Sequence, residues 1–380
     1  MKANIRSFSR QDSTQLLILI FAWILVQAFL LWRNGLVTGL ESAKYIDQAH
    51  HFISFGKLSS TNFTLYATEI FLIVFALKLH LGFAAVVIVQ LLLNIFATIM
   101  FYGLAFFYLN SNKLLAFFVT LIFVLNIPYQ TYNSYLFTES IFYSLSVIYS
   151  SFLLRIRKLN FGNSLIIFAL LVLLSVTRPT GILFFIPTIF YLLFNFFKGV
   201  SIVKKIVFAI VGLVLLAFVI NLMLGSGGSL DFMLPFKKEN IICGVNTTEN
   251  APIKILKNGN SLQALGYYIV HNFERFLRLC YLKTILFFGF TREYYSTLHN
   301  WLLRIFYYPL YILAIIGVIK KLKSKSWATY YFLGIIFLMW VTILLTCVNW
   351  QNRFVLTITP FIFLLAFASF FQFNGISKSE

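Results

Sequence analysis

The sequence predicts an all-α, polytopic membrane fold with about ten spans (eight to twelve), and three observations carry that prediction. Of the 380 residues, 60% are hydrophobic and only 11% are charged, whereas a soluble domain carries about 25% charged residues. The mean hydropathy is +0.88, which is more apolar surface than a globule of this size can hide from water. The apolar residues also fall into runs close to the roughly 20 that cross a bilayer, with short basic clusters between them. Disorder is excluded, because a chain this apolar has too much to bury. The net charge of +19 would suit nucleic acid only if the basic residues formed one domain. Here they sit between apolar runs, as membrane orientation requires.

The first span covers 14–32, after a basic start at Lys2, Arg6 and Arg10. It ends at Trp32-Arg33-Asn34-Gly35 with no small-residue cleavage site, so it reads as an anchor. Further spans fall at 84–109, 114–128, 134–154, 163–177, 180–197, 206–224, 301–319, 327–347 and 354–372. With the N-terminus inside, the inner segments are 1–13, 110–113, 155–162, 198–205, 320–326 and 373–380. They hold 15 of the 30 Lys and Arg in 48 residues. Of the 11 acids only Asp12 and Glu380 fall inside. The stretch 64–80 is apolar enough to span, but counting it would invert every later loop and put Arg155, Arg157 and Lys158 outside. It therefore reads as a helix in or near the outer interface, interrupted by Glu69. The resulting plan is a transmembrane module at 1–224 whose first outer loop is 33–83, an outer loop region at 225–300, and C-terminal helices at 301–380. No internal or inverted repeat is present.

Four places can carry chemistry. After the first span, Glu41, Lys44, Tyr45 and Gln48 share one helical face, and Asp47 lies about 120° round from Glu41. The plain alternative is an amphipathic surface helix with an acid at its positive end. Pro128 ends one span, and Thr138-Glu139 opens the next. A carboxylate at that level is costly unless it faces a wet cavity, and helix capping competes as the explanation. Arg178-Pro179 joins two apolar runs, and Arg353 opens the last one. Both arginines lie at the outer boundary, where a guanidinium fork matches phosphate oxygens or snorkels to headgroups. His50, His51 and His271 have no HxxxH or HxH spacing, which argues against a dedicated zinc site. Glu41, Asp47 and Glu69 remain as loose ligands for a divalent cation. Cys243, Cys280 and Cys347 make no metal motif; a Cys243–Cys280 bridge and three free thiols both stay open. Asn62-Phe63-Thr64 and Asn246-Thr247-Thr248 match the N-glycosylation pattern.

The order of these motifs resembles the GT-C glycosyltransferases, in particular the bacterial RgtA/B/C/D-like and dolichyl-phosphate-mannose-type members. The likeness rests on Glu41, Tyr45, Ala49 and Gly56, then Pro128 with Thr138-Glu139, then Arg178-Pro179, then Arg353 leading to Pro360. It covers 14–197 well and 349–372 weakly, and the loop at 225–300 has no counterpart. The family usually has Asp where this chain has Glu41, so Asp47 is the fallback. The resemblance implies a multi-pass enzyme of the bacterial inner membrane with an extracytoplasmic site. It would transfer a sugar from a polyprenyl-phosphate donor to a glycan, lipid or protein acceptor of the cell envelope, with inversion. Glu41 would be the catalytic base, Arg178 and Arg353 would bind donor phosphate, and Tyr45, Gln48 and Glu139 would bind substrate. A divalent cation is an optional cofactor on this reading. The rival classes are a polysaccharide polymerase of another family and a lipid-linked-sugar flippase or transporter, although transporters favour inverted repeats and broken helices.

Overall fold

The computed structural model describes residues 10–197, 199–204, 206, 207, 210, 212, 234–245, 253–256 and 261–370. Among these residues the secondary structure is helical, with two isolated β-bridges and no strand. Among the described residues, length and composition qualify six helices as membrane spans: Ser13–Asn34, Thr61–Lys78, Gly82–Tyr108, Thr297–Lys323, Trp327–Leu345 and Arg353–Phe370. A bent pair, Lys113–Val124 with Ile127–Ser134, makes up to seven. The protein is therefore a multi-pass membrane protein.

Two differences from the sequence layout have physical causes. The segment read as an interfacial helix qualifies as a span, because a 3-10 turn at Thr61–Tyr66 runs straight into the helix behind it. The stretch at 134–154 does not qualify, although its helix is almost wholly buried. It carries Ser140, Ser144, Ser146, Ser150 and Ser151, which lower its hydropathy but let neighbouring helices approach closely. Most of the expected span at 206–224 lies outside the described residues.

The chain divides into two units. Unit 1 comprises Met1–Phe184, Ile312–Ala328 and Pro360–Glu380, and unit 2 comprises Phe185–Tyr311 and Thr329–Thr359. In unit 1 the helices are α1 (Arg10–Asn34), α2 (Glu41–Phe55), α3 (Ala67–Lys78), α4 (Gly82–Tyr108), α5 (Lys113–Val124), α6 (Ile127–Gln130), α7 (Thr138–Arg155) and α8 (Phe161–Thr177). A 3-10 turn at Pro179–Phe184 closes that run. Gly56, in the left-handed region at φ +68°, stops α2. Helix α7 packs against α4 and α8. The contacts between helices include buried polar pairs: Trp23 Nε1 donates to Asn94 Oδ1 at 2.7 Å, Asn94 Nδ2 to Ser144 Oγ at 3.3 Å, and Gln27 Nε2 to Gln130 Oε1 at 2.9 Å. Such pairs satisfy polar groups that lipid cannot. Lys321, counted above as an orientation charge, is buried and donates to the Tyr108 carbonyl at 2.7 Å, closing the C-terminal end of α4.

Unit 2 holds α9 (Phe185–Asn195), α10 (Leu234–Lys237), α11 (Ser261–His271) and α12 (Phe273–Gly289). It also holds parts of α13 (Thr297–Lys323), α14 (Trp327–Leu345) and α15 (Arg353–Phe367). Ile242 and Val348 form a β-bridge, with Val348 N donating to Ile241 O at 2.8 Å and Cys243 N to Val348 O at 3.0 Å. That pairing puts the Cα atoms of Cys243 and Cys347 5.1 Å apart, and they form a disulfide. This corrects the Cys243–Cys280 alternative: Cys280 sits on α12 as a free thiol. Lys283, also on α12, is buried and donates to the carbonyls of Leu344 and Thr346 at 3.1 and 2.6 Å. It closes the end of α14 next to the disulfide.

Candidate functional site

Backbone pairing builds the site in unit 1. Val37 N donates to Ser134 O at 3.0 Å and Leu136 N to Val37 O at 3.2 Å, forming a parallel bridge between Val37 and Tyr135. Ser42 Oγ donates to Val37 O at 3.1 Å. These bonds bring the beginnings of α2 and α7 together, and each helix carries its acid, Glu41 or Glu139, in the first turn. The positive ends of both helices favour carboxylates there.

Arg178 arrives from a third direction. It ends α8 in an extended conformation, with its N–H donating to Leu174 O at 3.1 Å. Pro179 then stops the helix and Gly181 N donates back to Arg178 O at 2.9 Å. A Cβ at Gly181 would overlap the carbonyl of Leu174, so the reversal that presents Arg178 requires glycine. Thr177 Oγ1 donates to Thr68 Oγ1 at 2.9 Å, locking the end of α8 to α3. The Arg178 guanidinium forms an ion pair with the fully buried Glu139 carboxylate. Two of the sequence-selected residues, one read as phosphate-binding and one as substrate-binding, are thus partners.

Four further residues complete the cluster. Lys44 forms an ion pair with Glu41, and its ammonium lies 4.8 Å from the ring centroid of Tyr45 and 4.9 Å from that of Tyr66. Burial pushes Lys44 down to about 8, against the pull of the Glu139 carboxylate and with the help of the Arg178 charge. Tyr45 is 1% exposed, and burial raises its phenol well above the ordinary range, with Thr138 in hydrogen-bond reach. Tyr143, on α7, is buried beside the ion pair. Tyr66 and Tyr143 had no signal in the sequence, because each lies inside an apolar run. Lys44 was visible as a face-mate of Glu41 but carried no assigned role.

The other selected residues lie elsewhere. Asp47 is exposed on α2. Gln48 Oε1 accepts from Ser59 N at 3.1 Å and from Ser59 Oγ at 2.8 Å, so it fastens the loop after α2. Arg353 belongs to unit 2, where its Nε donates to Asn349 Oδ1 at 3.0 Å. Among the described residues no three His, Cys, Asp or Glu side chains converge to hold a metal ion. Asn246 of the second glycosylation pattern lies outside the described residues.

Glu69 lies within electrostatic reach of Glu139. It is fully buried in α3, and Gln90 Nε2 stands 3.2 Å from each of its oxygens. Gln90 Oε1 is buried with no donor. The Gln90 amide nitrogen is thus shared between both carboxyl oxygens. No cation pairs with Glu69 among the described residues, and a lone carboxylate in that place would be very costly. Glu69→Gln keeps the shape and an oxygen that accepts from the Gln90 amide. It should change unfolding stability in detergent by less than about 1 kcal/mol. Glu69→Ala leaves a cavity and an unpaired Gln90 and should cost about 2–5 kcal/mol. Equal losses in the two variants would show that the pairing is not the reason for the residue.

No protein-family model, curated protein or solved structure matches the chain.

Proposed function

We propose that the protein transfers a sugar from a polyprenyl-phosphate-linked donor to an acceptor hydroxyl of a glycan, lipid or protein on the extracytoplasmic face, with inversion. The observation that supports this most directly is the convergence of Glu41, Lys44, Tyr45, Glu139 and Arg178 at the joined beginnings of α2 and α7. Carboxylates and cations held together at a span boundary suit a reaction that takes up a proton at one atom and develops phosphate charge at another.

Glu41 takes the proton from the acceptor hydroxyl as its oxygen attacks the anomeric carbon. The bond from that carbon to the phosphate oxygen breaks, and the lipid phosphate leaves with the electron pair. Lys44 and Arg178 stabilise the leaving charge. Glu139 anchors the Arg178 guanidinium in place. Attack from the face opposite the phosphate inverts the anomeric centre. Tyr45 and Tyr66 flank the ammonium, and Tyr66, the less buried of the two, presents aromatic surface to the sugar.

Lys44 gives this mechanism a pH signature. Its charge is present below about 8 and is lost above it. The KM for donor should therefore rise as the pH passes through 8, and Lys44→Arg should flatten that rise. A wild-type KM that stays constant from pH 7 to 9.5 removes Lys44 from phosphate recognition.

A buried carboxyl in a candidate span is also a feature of proton-linked carriers, so Glu69 favours the flippase or transporter as the second reading. One assay separates the two. Purified protein in lipid vesicles receives a labelled polyprenyl-phosphate sugar and an acceptor extract. Transfer releases polyprenyl phosphate and labels the acceptor, whereas a flippase moves the donor between leaflets intact. Mass spectrometry of lipid extracts from cells with and without the protein then names the glycoconjugate that loses a residue. A polysaccharide polymerase would instead shorten a repeating chain.

A further inference from the structure

Arg155 ends α7, about 24 Å along that helix from Glu139, so it marks the end of unit 1 away from the candidate site. Its guanidinium does not hang free of the helix end. It lies over Gly103 of α4, where a Cβ would stand 2.7 Å from Arg155 Nη1 and 3.2 Å from Cζ. Ser151 Oγ, one turn earlier on α7, donates to Met100 O at 2.8 Å and fixes the two helices against each other. Gly103 precedes the end of α4 by roughly 7.5 Å along the axis.

The face of α4 that carries Gly103 is apolar. Leu92, Phe96 and Phe107 are exposed there, and at 100° per residue all four positions fall within about 60° of one another. Helix α4 is a candidate membrane span, so this stripe meets lipid, and a positive charge rests on it. Among the described residues no carboxylate pairs with Arg155, and its guanidinium donates no hydrogen bond. The same holds for the side chains of Arg157 and Lys158, exposed in the turn behind it. Further cations gather at this end of α4. Lys321 donates to Tyr108 O at 2.7 Å and to Asn110 Oδ1 at 3.3 Å, and Lys113 opens α5. Nothing negative offsets them nearby in the chain: residues 70–138, 140–184 and 312–328 contain no Asp or Glu.

Two plainer roles account for less. A partner for the α7 dipole need only stand in its last turn, and an orientation charge need only stand in a loop. Neither requires the glycine that seats the guanidinium on the face of α4. We propose that Arg155 binds the phosphate of an anionic phospholipid, with Arg157 and Lys158 at the rim and an acyl chain along the α4 stripe. A phosphodiester matches the guanidinium fork, and a charge at membrane level calls for an opposite one. The surrounding cations favour a headgroup of net negative charge over a zwitterion, whose ammonium they repel. The site is argued within unit 1 alone and does not depend on the protein transferring a sugar.

The test titrates purified full-length protein in detergent with phosphatidylglycerol, phosphatidylcholine and glycerophosphoglycerol, the deacylated headgroup, and counts bound molecules by native mass spectrometry. The wild type should bind one phosphatidylglycerol at least tenfold more tightly than either of the others. Arg155→Gln should weaken phosphatidylglycerol binding by roughly ten- to a hundredfold and leave phosphatidylcholine binding unchanged. Should Arg155→Gln not fold, two milder variants carry the test. Arg155→Lys keeps the charge for the helix dipole but loses the fork, and Gly103→Ala keeps the arginine but drives its guanidinium off the stripe. Each should lose part of the preference for phosphatidylglycerol. An undiminished preference in both would reduce Arg155 to a helix-end charge and overturn the proposal, as would a wild type that does not distinguish the two lipids. Equal binding of glycerophosphoglycerol and the intact lipid would remove the acyl chain from the site and overturn it too. A lipid-free dimer would assign the stripe to a second copy of the chain instead.

Discussion

Glu41→Gln should lower sugar transfer by about 10²- to 10⁴-fold, the contribution of a positioned general base. The protein should still insert, and its affinity for donor should stay near that of the wild type. Glu41 sits in the first turn of α2 with its side chain largely buried, ion-paired to Lys44. Lys44 in turn feels the Glu139 carboxylate and the Arg178 charge. Glutamine preserves shape and can still accept a hydrogen bond from Lys44, but it cannot take a proton. Glu41→Asp should retain substantial activity if the site tolerates the shorter arm. The control is Asp47→Asn: Asp47 is exposed on α2, so this change should be silent. A normal rate for Glu41→Gln together with a dead Asp47→Asn would pass the base to Asp47. Normal rates for both would exclude this helix as the catalytic one.

What could be read in the sequence follows from how each signal is encoded. Membrane class is a bulk property, so composition alone was enough. Site acids and arginines stood out because a charge inside an apolar chain is costly and therefore conspicuous. Partnership was not legible. Glu139 and Arg178 are 39 positions apart in sequence and meet where a glycine reversal turns Arg178 back at the end of α8. That device has no hydrophobic period. The aromatic members, Tyr66 and Tyr143, merge with the spans around them. Two helices were misjudged in opposite directions. The serine-rich α7, read as a span, is too polar to qualify as one yet is almost wholly buried, while the run through Glu69 was set aside because counting it would invert every later loop, and it qualifies. Cys243 and Cys347 lie 104 residues apart, and a backbone bridge matched them rather than any spacing rule.

Arg178→Ala should destabilise the protein by about 3–5 kcal/mol, because it leaves the Glu139 carboxylate buried without its cation. Glu139 is fully buried and Arg178 nearly so, so solvent cannot make good the loss. The double variant Arg178→Ala/Glu139→Gln removes both charges. It should recover most of the stability, since replacing a buried pair by neutral groups is often close to neutral. Thermal unfolding in detergent reads the first half of the argument. Kinetics on the double variant read the second half, because the recovered protein is folded and lacks only the guanidinium. If Arg178 touches the donor phosphate, the double variant should show a KM for donor raised roughly ten- to a hundredfold, the cost of a charged hydrogen bond. Glu139→Gln alone should keep the donor KM closer to that of the wild type, since its guanidinium remains. A double variant with normal stability and normal KM would make the pair a structural clasp between α7 and α8. Phosphate recognition in unit 1 would then fall to Lys44, which the pH dependence of KM tests independently.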